Sequence, residues 1–132
     1  MFTISSQSDY GLIILSSLIK KNNFVSLADL VKDTDLPQRF LARIAAVLAK
    51  NGILESREGR EGGYKPTRKL FEINLYDYLK IFEDDVEVCK CCEEHYDCQY
   101  KNICHHGSFL QNRLTKVLTE QLKKIKLIEV FK

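Results

Sequence analysis

A mainly α-helical fold with one small β-hairpin, closed by a long C-terminal helix, is what this 132-residue sequence predicts. Three observations predict it. Apolar residues recur at helical spacing in three successive segments before residue 52, two short extended pieces flank a Gly-rich charged turn near residue 60, and helical spacing returns after Ser108.

The first helix is predicted over residues 9–20, where Leu12, Leu15 and Ile19, with Ile14 and Leu18 beside them, make a wide apolar face. Ser26 and Asp29 have the spacing of a capping box and open a short second helix that ends near Asp33. In the third, Pro37 suits the first helical position, where its missing N–H costs nothing. Phe40, Leu41, Ile44, Val47 and Leu48 form its apolar stripe, with Phe40 and Ile44 expected inside, and Gly52 stops it. Residues 53–56 and 63–66 read as the strands of a hairpin. Gly59, Gly62 and Gly63 would let it turn tightly and bring its backbone close to a partner. Asn74 caps a further helix carrying Leu75, Tyr78, Leu79 and Phe82, which runs out in the solvated acidic end Glu83, Asp84 and Asp85. From Val86 to Gly107 there is no sustained periodicity, and loops of that length are usually functional. The last helix carries Leu110, Leu114, Val117, Leu118, Leu122 and Ile125 on one side.

A chain of this length holds one core and one extension, which we divide as a helix-turn-helix region over residues 1–70 and a cysteine loop with a final helix over residues 71–132. The net charge of +2 argues for no particular partner, but residues 1–70 carry 11 Lys/Arg against 7 Asp/Glu, and residues 71–132 carry 9 against 11. The apolar run at residues 12–19 is too short to span a bilayer and lacks a basic region before it, so neither membrane nor export signal is expected. Five cysteines without such a signal imply the reducing cytoplasm, where clustered Cys binds metal or does redox chemistry.

Helix, helix, turn, helix and hairpin is the order of a winged helix-turn-helix, whose third helix enters the major groove of double-stranded DNA. Residues 36–69 hold eight basic residues against three acidic ones, the footprint of phosphate binding. Gln38 and Arg39 stand near the helix end that meets base edges and can bond bases bidentately; Arg43, one turn on, suits a phosphate or a second base. The wing would add Arg57, Arg60, Gly62, Gly63 and Tyr64. A protein-binding winged helix is the bland alternative, since the fold does not set the ligand.

All five cysteines fall in the loop. Cys92, Cys98 and Cys104 are separated by five residues each, so a straight helix would aim successive ones about 120° apart, whereas a wrapped loop can turn all three inward. Thiolates suit an iron-sulfur cluster, zinc or copper(I), with zinc the less favoured. A metal-free thiol switch and an iron-sulfur electron carrier with no DNA role stay open. Cys89, Cys91, His95, His105 and His106 lie nearby.

These residues resemble the Rrf2 family of bacterial winged-helix transcriptional regulators, with its IscR-like and NsrR-like branches. The resemblance covers nearly the whole chain and rests on Ser8-Asp9-Tyr10-Gly11-Leu12, on Phe40-Leu41 with Ile44, on Gly62-Gly63-Tyr64, and on Cys92, Cys98 and Cys104. It implies a repressor rather than an enzyme, with no catalytic residues. It further implies a homodimer joined through the C-terminal helix on a roughly palindromic operator, and an iron-sulfur cluster on the three cysteines that senses nitric oxide, redox state or iron supply. In the IscR-like branch a histidine three residues after the last cysteine completes the site, but Gly107 stands there, with His105 and His106 displaced. In the NsrR-like branch an aspartate early in the first helix of the partner subunit completes a 4Fe-4S site, and Asp9 matches it. The resemblance therefore favours 4Fe-4S with Asp9 over 2Fe-2S. Two departures stand out: Glu58 occupies a wing position that is usually Arg, and Cys89 and Cys91 are surplus thiols available as substitute ligands.

Overall fold

The computed structural model describes residues 4–21, 23–83, 86 and 96–131. Asp84, Asp85, Cys89, Cys91, Cys92 and His95 lie outside the described residues, so the expectations placed on them are not addressed by it.

Helix α1 spans Ser6–Ile19 and begins three residues before the predicted start, because Ser5 and not Asp9 is the cap: the Ser5 side chain accepts the Ser8 backbone N–H. Helix α2 spans Leu27–Thr34 under the predicted Ser26 cap, which accepts from the Asp29 N–H. Asp35 then takes a left-handed conformation with φ 57°, which Asp tolerates better than most residues, and turns the chain toward α3. Helix α3, Gln38–Lys50, has Pro37 as its cap rather than its first residue.

Strands β1, Leu54–Arg57, and β2, Gly63–Pro66, pair antiparallel with Leu54 opposite Pro66 and Arg57 opposite Gly63. The backbone of Val25 extends this ribbon: Val25 and Tyr64 exchange two hydrogen bonds at 3.0 and 2.9 Å. Gly63 (φ 145°) has glycine's freedom put to use there, since a Cβ would fall 2.1 Å from the Val25 carbonyl oxygen.

A short helix α4, Lys69–Glu72, is additional to those predicted; at four residues it is too brief to show periodicity, and it seats the fully buried Leu70. Helix α5, Leu75–Phe82, follows with Asn74 accepting the Asp77 N–H as predicted. Beyond the cysteine segment, residues 107–124 are helical, as π-helix over Phe109–Leu114 and as α6 over Thr115–Lys124. Ile125, predicted on the helix's apolar side, instead ends it with an extended backbone. Lys126 bridges to Asn74, and a 3-10 helix, Leu127–Phe131, returns the fully buried Leu127 to the core.

One core joins both halves of the chain: Ile14, Leu15 and Leu18 of α1, Leu30 of α2, Leu41, Ile44 and Leu48 of α3, then Leu70, Tyr78, Leu79 and Leu127. Leu118 and Leu122 of α6 pack against it. No helix of the described residues is long and apolar enough to cross a membrane.

Candidate nucleic-acid interface and cysteine site

An α-helix advances about 100° per residue, so burying Leu41, Ile44, Ala45 and Leu48 turns Arg39, Arg43, Ala46 and Lys50 to the opposite side. All four are exposed, as is Gln38 in the first turn. Arg39 and Arg43 are i, i+4 neighbours on one ridge. Phe40 corrects the expectation of a buried stripe: it is 41% exposed. It lies about 90° from the centre of the buried face, so its ring covers the flank of the ridge. There it meets Tyr10 of α1 at a centroid distance of 6.3 Å and carries the Arg43 guanidinium 5.3 Å above it.

The hairpin places Arg57 and Arg60 in solvent together with Glu58 and Glu61. Gly62, Gly63 and Tyr64 are half-buried. Their glycines answer to the chain's own backbone, since a Cβ on Gly62 would come within 2.2 Å of the Arg57 carbonyl oxygen. Tyr64 also packs against the core. Phe24, to which the sequence reading assigned nothing, lies under the hairpin with the Arg57 guanidinium 4.2 Å from its centroid. No periodic pattern marks a single aromatic in a connection, so only the fold could bring it there.

The Ser8-to-Leu12 motif is explained by α5. The Tyr78 hydroxyl, fully buried, donates to the Ser8 carbonyl oxygen at 2.7 Å. Gly11 leaves room for it, since a Cβ there would lie 2.3 Å from that hydroxyl. Burial, aided by the negative charge of Asp9, pushes the Tyr78 phenol well above its ordinary pKa, so it remains a donor. The Glu83 carboxylate, predicted to be a solvated end, accepts the Ser5 backbone N–H at 2.8 Å and the Ser8 hydroxyl at 2.9 Å. Partial burial alone would raise its pKa; the hydrogen bonds from Ser5 and Ser8 outweigh that and hold it below the ordinary 4.5. Its contribution to stability is thus present above that value and lost as the pH falls through the lowered one.

This packing makes a quantitative prediction. Gly11→Ala should destabilise the fold by about 1–3 kcal/mol through overpacking, and Tyr78→Phe by about 1 kcal/mol through removal of the hydrogen bond. Because the hydroxyl is the obstructing atom, the double variant should be less destabilised than the sum, as urea unfolding of the four proteins would show. Strict additivity would mean that the clash is relieved elsewhere.

Cys98 and Cys104 are half-buried free thiols. They bracket a turn in which Tyr100 O accepts from the N–H groups of Ile103 and Cys104. The Cys104 sulfur receives the Gly107 N–H at 3.1 Å, where the last helix starts, and lies 3.6 Å from His106 Nδ1. Gly107, at the position of the IscR-like histidine, thus offers the sulfur an amide and no imidazole. His105 and His106 are exposed. Asp9 is an exposed acidic residue in the first turn of α1, on a different element from the two thiols. Among the described residues, no three His, Cys, Asp or Glu side chains gather into a metal-binding group. The donor chemistry of the two thiols suits a cluster, because neither is in a disulfide and an amide N–H already points at one sulfur.

The family model described as "Rrf2: Iron-dependent Transcriptional regulator" matches residues 4–132. The HTH-type transcriptional regulator NsrR of Halalkalibacterium halodurans is 27% identical over 118 residues, 87% of this chain and 81% of that protein. Protein aau3 of Rhizobium meliloti is 26% identical over 113 residues, 84% of this chain and 73% of that one. The structure of CymR (YrzC), the global cysteine regulator of B. subtilis, superposes with a TM-score of 0.72 at 22% identity, over 99% of this chain and 97% of that one. T. potens IscR gives a TM-score of 0.67 at 22% identity, over 98% and 85% of the two chains. At such identities these two structures speak for the fold, while the family match spans nearly the whole sequence. The chain is a member of the Rrf2 family of transcriptional regulators, with the winged-helix fold of its structural neighbours.

Proposed function

We propose that this regulator is a DNA-binding repressor whose grip on its operator is set by an iron-sulfur cluster. The observation that carries the DNA reading is the exposed ridge of Arg39, Arg43 and Lys50 on α3, facing away from the core, with Arg57 and Arg60 exposed on the hairpin. In this reading residues 1–70 contact double-stranded DNA, through Gln38, Arg39 and Arg43 in the major groove and Arg57, Arg60 and the backbone at Gly62, Gly63 and Tyr64 on the wing. Residues 71–132 carry the cofactor and the dimer contacts. Phe109, Leu114 and Val117 leave an exposed apolar face on the last helix, suited to a second copy, and a two-fold dimer calls for a roughly palindromic operator.

Cys92, Cys98 and Cys104 would hold the cluster, with the partner subunit's Asp9 as fourth ligand of a 4Fe-4S site. When bound, such a cluster supplies a centre that nitric oxide, oxygen or iron scarcity can modify or remove. The chain's own part is to convert that event into motion. Glu83 immediately precedes the cysteine-bearing stretch and holds the start of α1, the helix that packs on α3. A shift of the cysteine segment is therefore passed to the reading helix through packed elements.

A second reading, a metal-free thiol switch, is favoured by the amide and imidazole that flank the Cys104 sulfur. Protein purified without oxygen separates the readings. It should carry iron, acid-labile sulfide and visible charge-transfer absorption, and it should enrich a palindromic duplex from a random pool. Absence of iron and sulfide sinks the cluster, and absence of an enriched duplex sinks the DNA role. Metal-free protein whose duplex affinity follows added reductant establishes the thiol switch.

A further inference from the structure

We infer that Phe24 is a positioning residue for DNA binding, its ring presenting Arg57 and Lys65 as a prearranged pair of phosphate contacts beside the carboxylate of Glu58. This rests on the DNA-binding reading above.

Phe24 directly precedes Val25, whose two hydrogen bonds with Tyr64 tie this connection to β2. Cross-strand partners share a face and alternate residues point the same way. Glu55 pairs with Lys65 and Arg57 with Gly63, so these four positions lie on one face of the hairpin. Val25 pairs antiparallel with Tyr64 along the outer edge of β2, so Phe24, one residue earlier, stands beside Lys65 and shares its face. The Phe24 ring then meets the Arg57 guanidinium at 4.2 Å and the Lys65 ammonium at 5.9 Å. It is half-buried and is not among the residues packed against the hydrophobic core; it lines a hollow with Arg57, Arg60, Asp29 and Glu61.

Stacking engages the face of a guanidinium and leaves its in-plane N–H donors free for phosphate oxygens. It also restricts a long side chain before DNA arrives, which removes part of the ordering cost of binding. The need for such a device is local. Glu55, Glu58 and Glu61 are exposed on the same hairpin, and each competes for a mobile cation. A ring that holds Arg57 and Lys65 keeps the wing's positive charge in place despite the carboxylate at position 58.

The test uses the full chain and a duplex enriched by the wild type from a random pool, titrated across a salt series. Phe24→Leu should weaken binding about three- to tenfold and flatten the salt dependence, because fewer counterions are released. Phe24→Trp should restore both. In an Arg57→Gln, Lys65→Gln background, Phe24→Leu should have no further effect, since the ring then has nothing to present. Wild-type affinity and salt slope in Phe24→Leu would overturn the proposal, as would an undiminished loss in the double-Gln background. Should Phe24→Leu not fold, Arg57→Gln alone must lower the salt slope by about one for each phosphate that it no longer neutralises, and an unchanged slope overturns the proposal equally. Failure of wild type to enrich any duplex sinks the DNA reading itself, and this inference with it.

Discussion

Replacing Arg39 and Arg43 together by Ala should lower affinity for a wild-type-selected duplex by about 30-fold to 10⁴-fold while destabilising the fold by no more than about 1 kcal/mol. The range follows from about 1–3 kcal/mol for each arginine that bonds a base edge, taken over two separate interactions. The fold should be little affected because both side chains are exposed and lie opposite the buried stripe of α3. Among the described residues the packing removed is that of the Arg43 guanidinium on the Phe40 ring, worth about 0.5–1 kcal/mol at an exposed site. Taken singly, the two variants report different roles. A base contact relaxes sequence preference at one operator position, whereas a phosphate contact weakens all duplexes alike and lowers the salt slope. Unaltered binding by the double variant would show that α3 is not the reading helix.

Cys98→Ala or Cys104→Ala should reduce iron and acid-labile sulfide in anaerobically prepared protein to background and abolish visible absorption. In the proposed site each would remove one of three thiolates, and a cluster missing one of so few sulfur ligands does not survive purification. At Cys104 the Gly107 N–H would also be left without its acceptor. Asp9→Ala is a finer probe: with the three thiolates intact, its Mössbauer spectrum should differ from wild type if Asp9 is a ligand and coincide with it if Asp9 is not. Full iron and sulfide in both cysteine variants would move the site to other residues, with Cys89 and Cys91 the first to substitute. Loss of DNA control in metal-free Cys104→Ala, against retained reductant response in metal-free wild type, would favour the thiol switch instead.

Most of the fold was legible because its signals are short-range. Ser26 caps α2 and Asn74 caps α5 through backbone groups three residues away, and the stripe of α3 repeats within a few turns. Gly62 of the hairpin likewise answers to nearby backbone, that of Arg57 and Glu58. The misjudged details have causes of a different kind. Asp9 looked like a helix start because an acid early in a helix is common, yet Ser5 holds the cap and so α1 begins sooner. Ile125 continues the apolar spacing of α6 but leaves the helix, where Leu75 donates to its carbonyl and Lys126 bridges to Asn74.

The cysteine spacing and the basic stretch over residues 36–69 marked the two regions of chemical interest without any structure. Whether a given side chain faces core, solvent or another part of the chain is a different matter. It depends on which surfaces meet. Phe40 and Ile44 both belong to the apolar pattern of α3, but only Ile44 enters the core, while Phe40 stays exposed on the flank between Tyr10 of α1 and the Arg43 guanidinium. Gly11 reads as a weak helix residue until Tyr78, 67 positions away, puts its hydroxyl into the space a methyl would fill. Local patterning and spacing thus carried the order of the main helices, the caps of α2 and α5, and the hairpin. The pairing of Phe24 with the wing cations, the Ser8–Tyr78–Glu83 network and the exposure of Phe40 arose from contacts between residues far apart in the chain, whose energies no local pattern records.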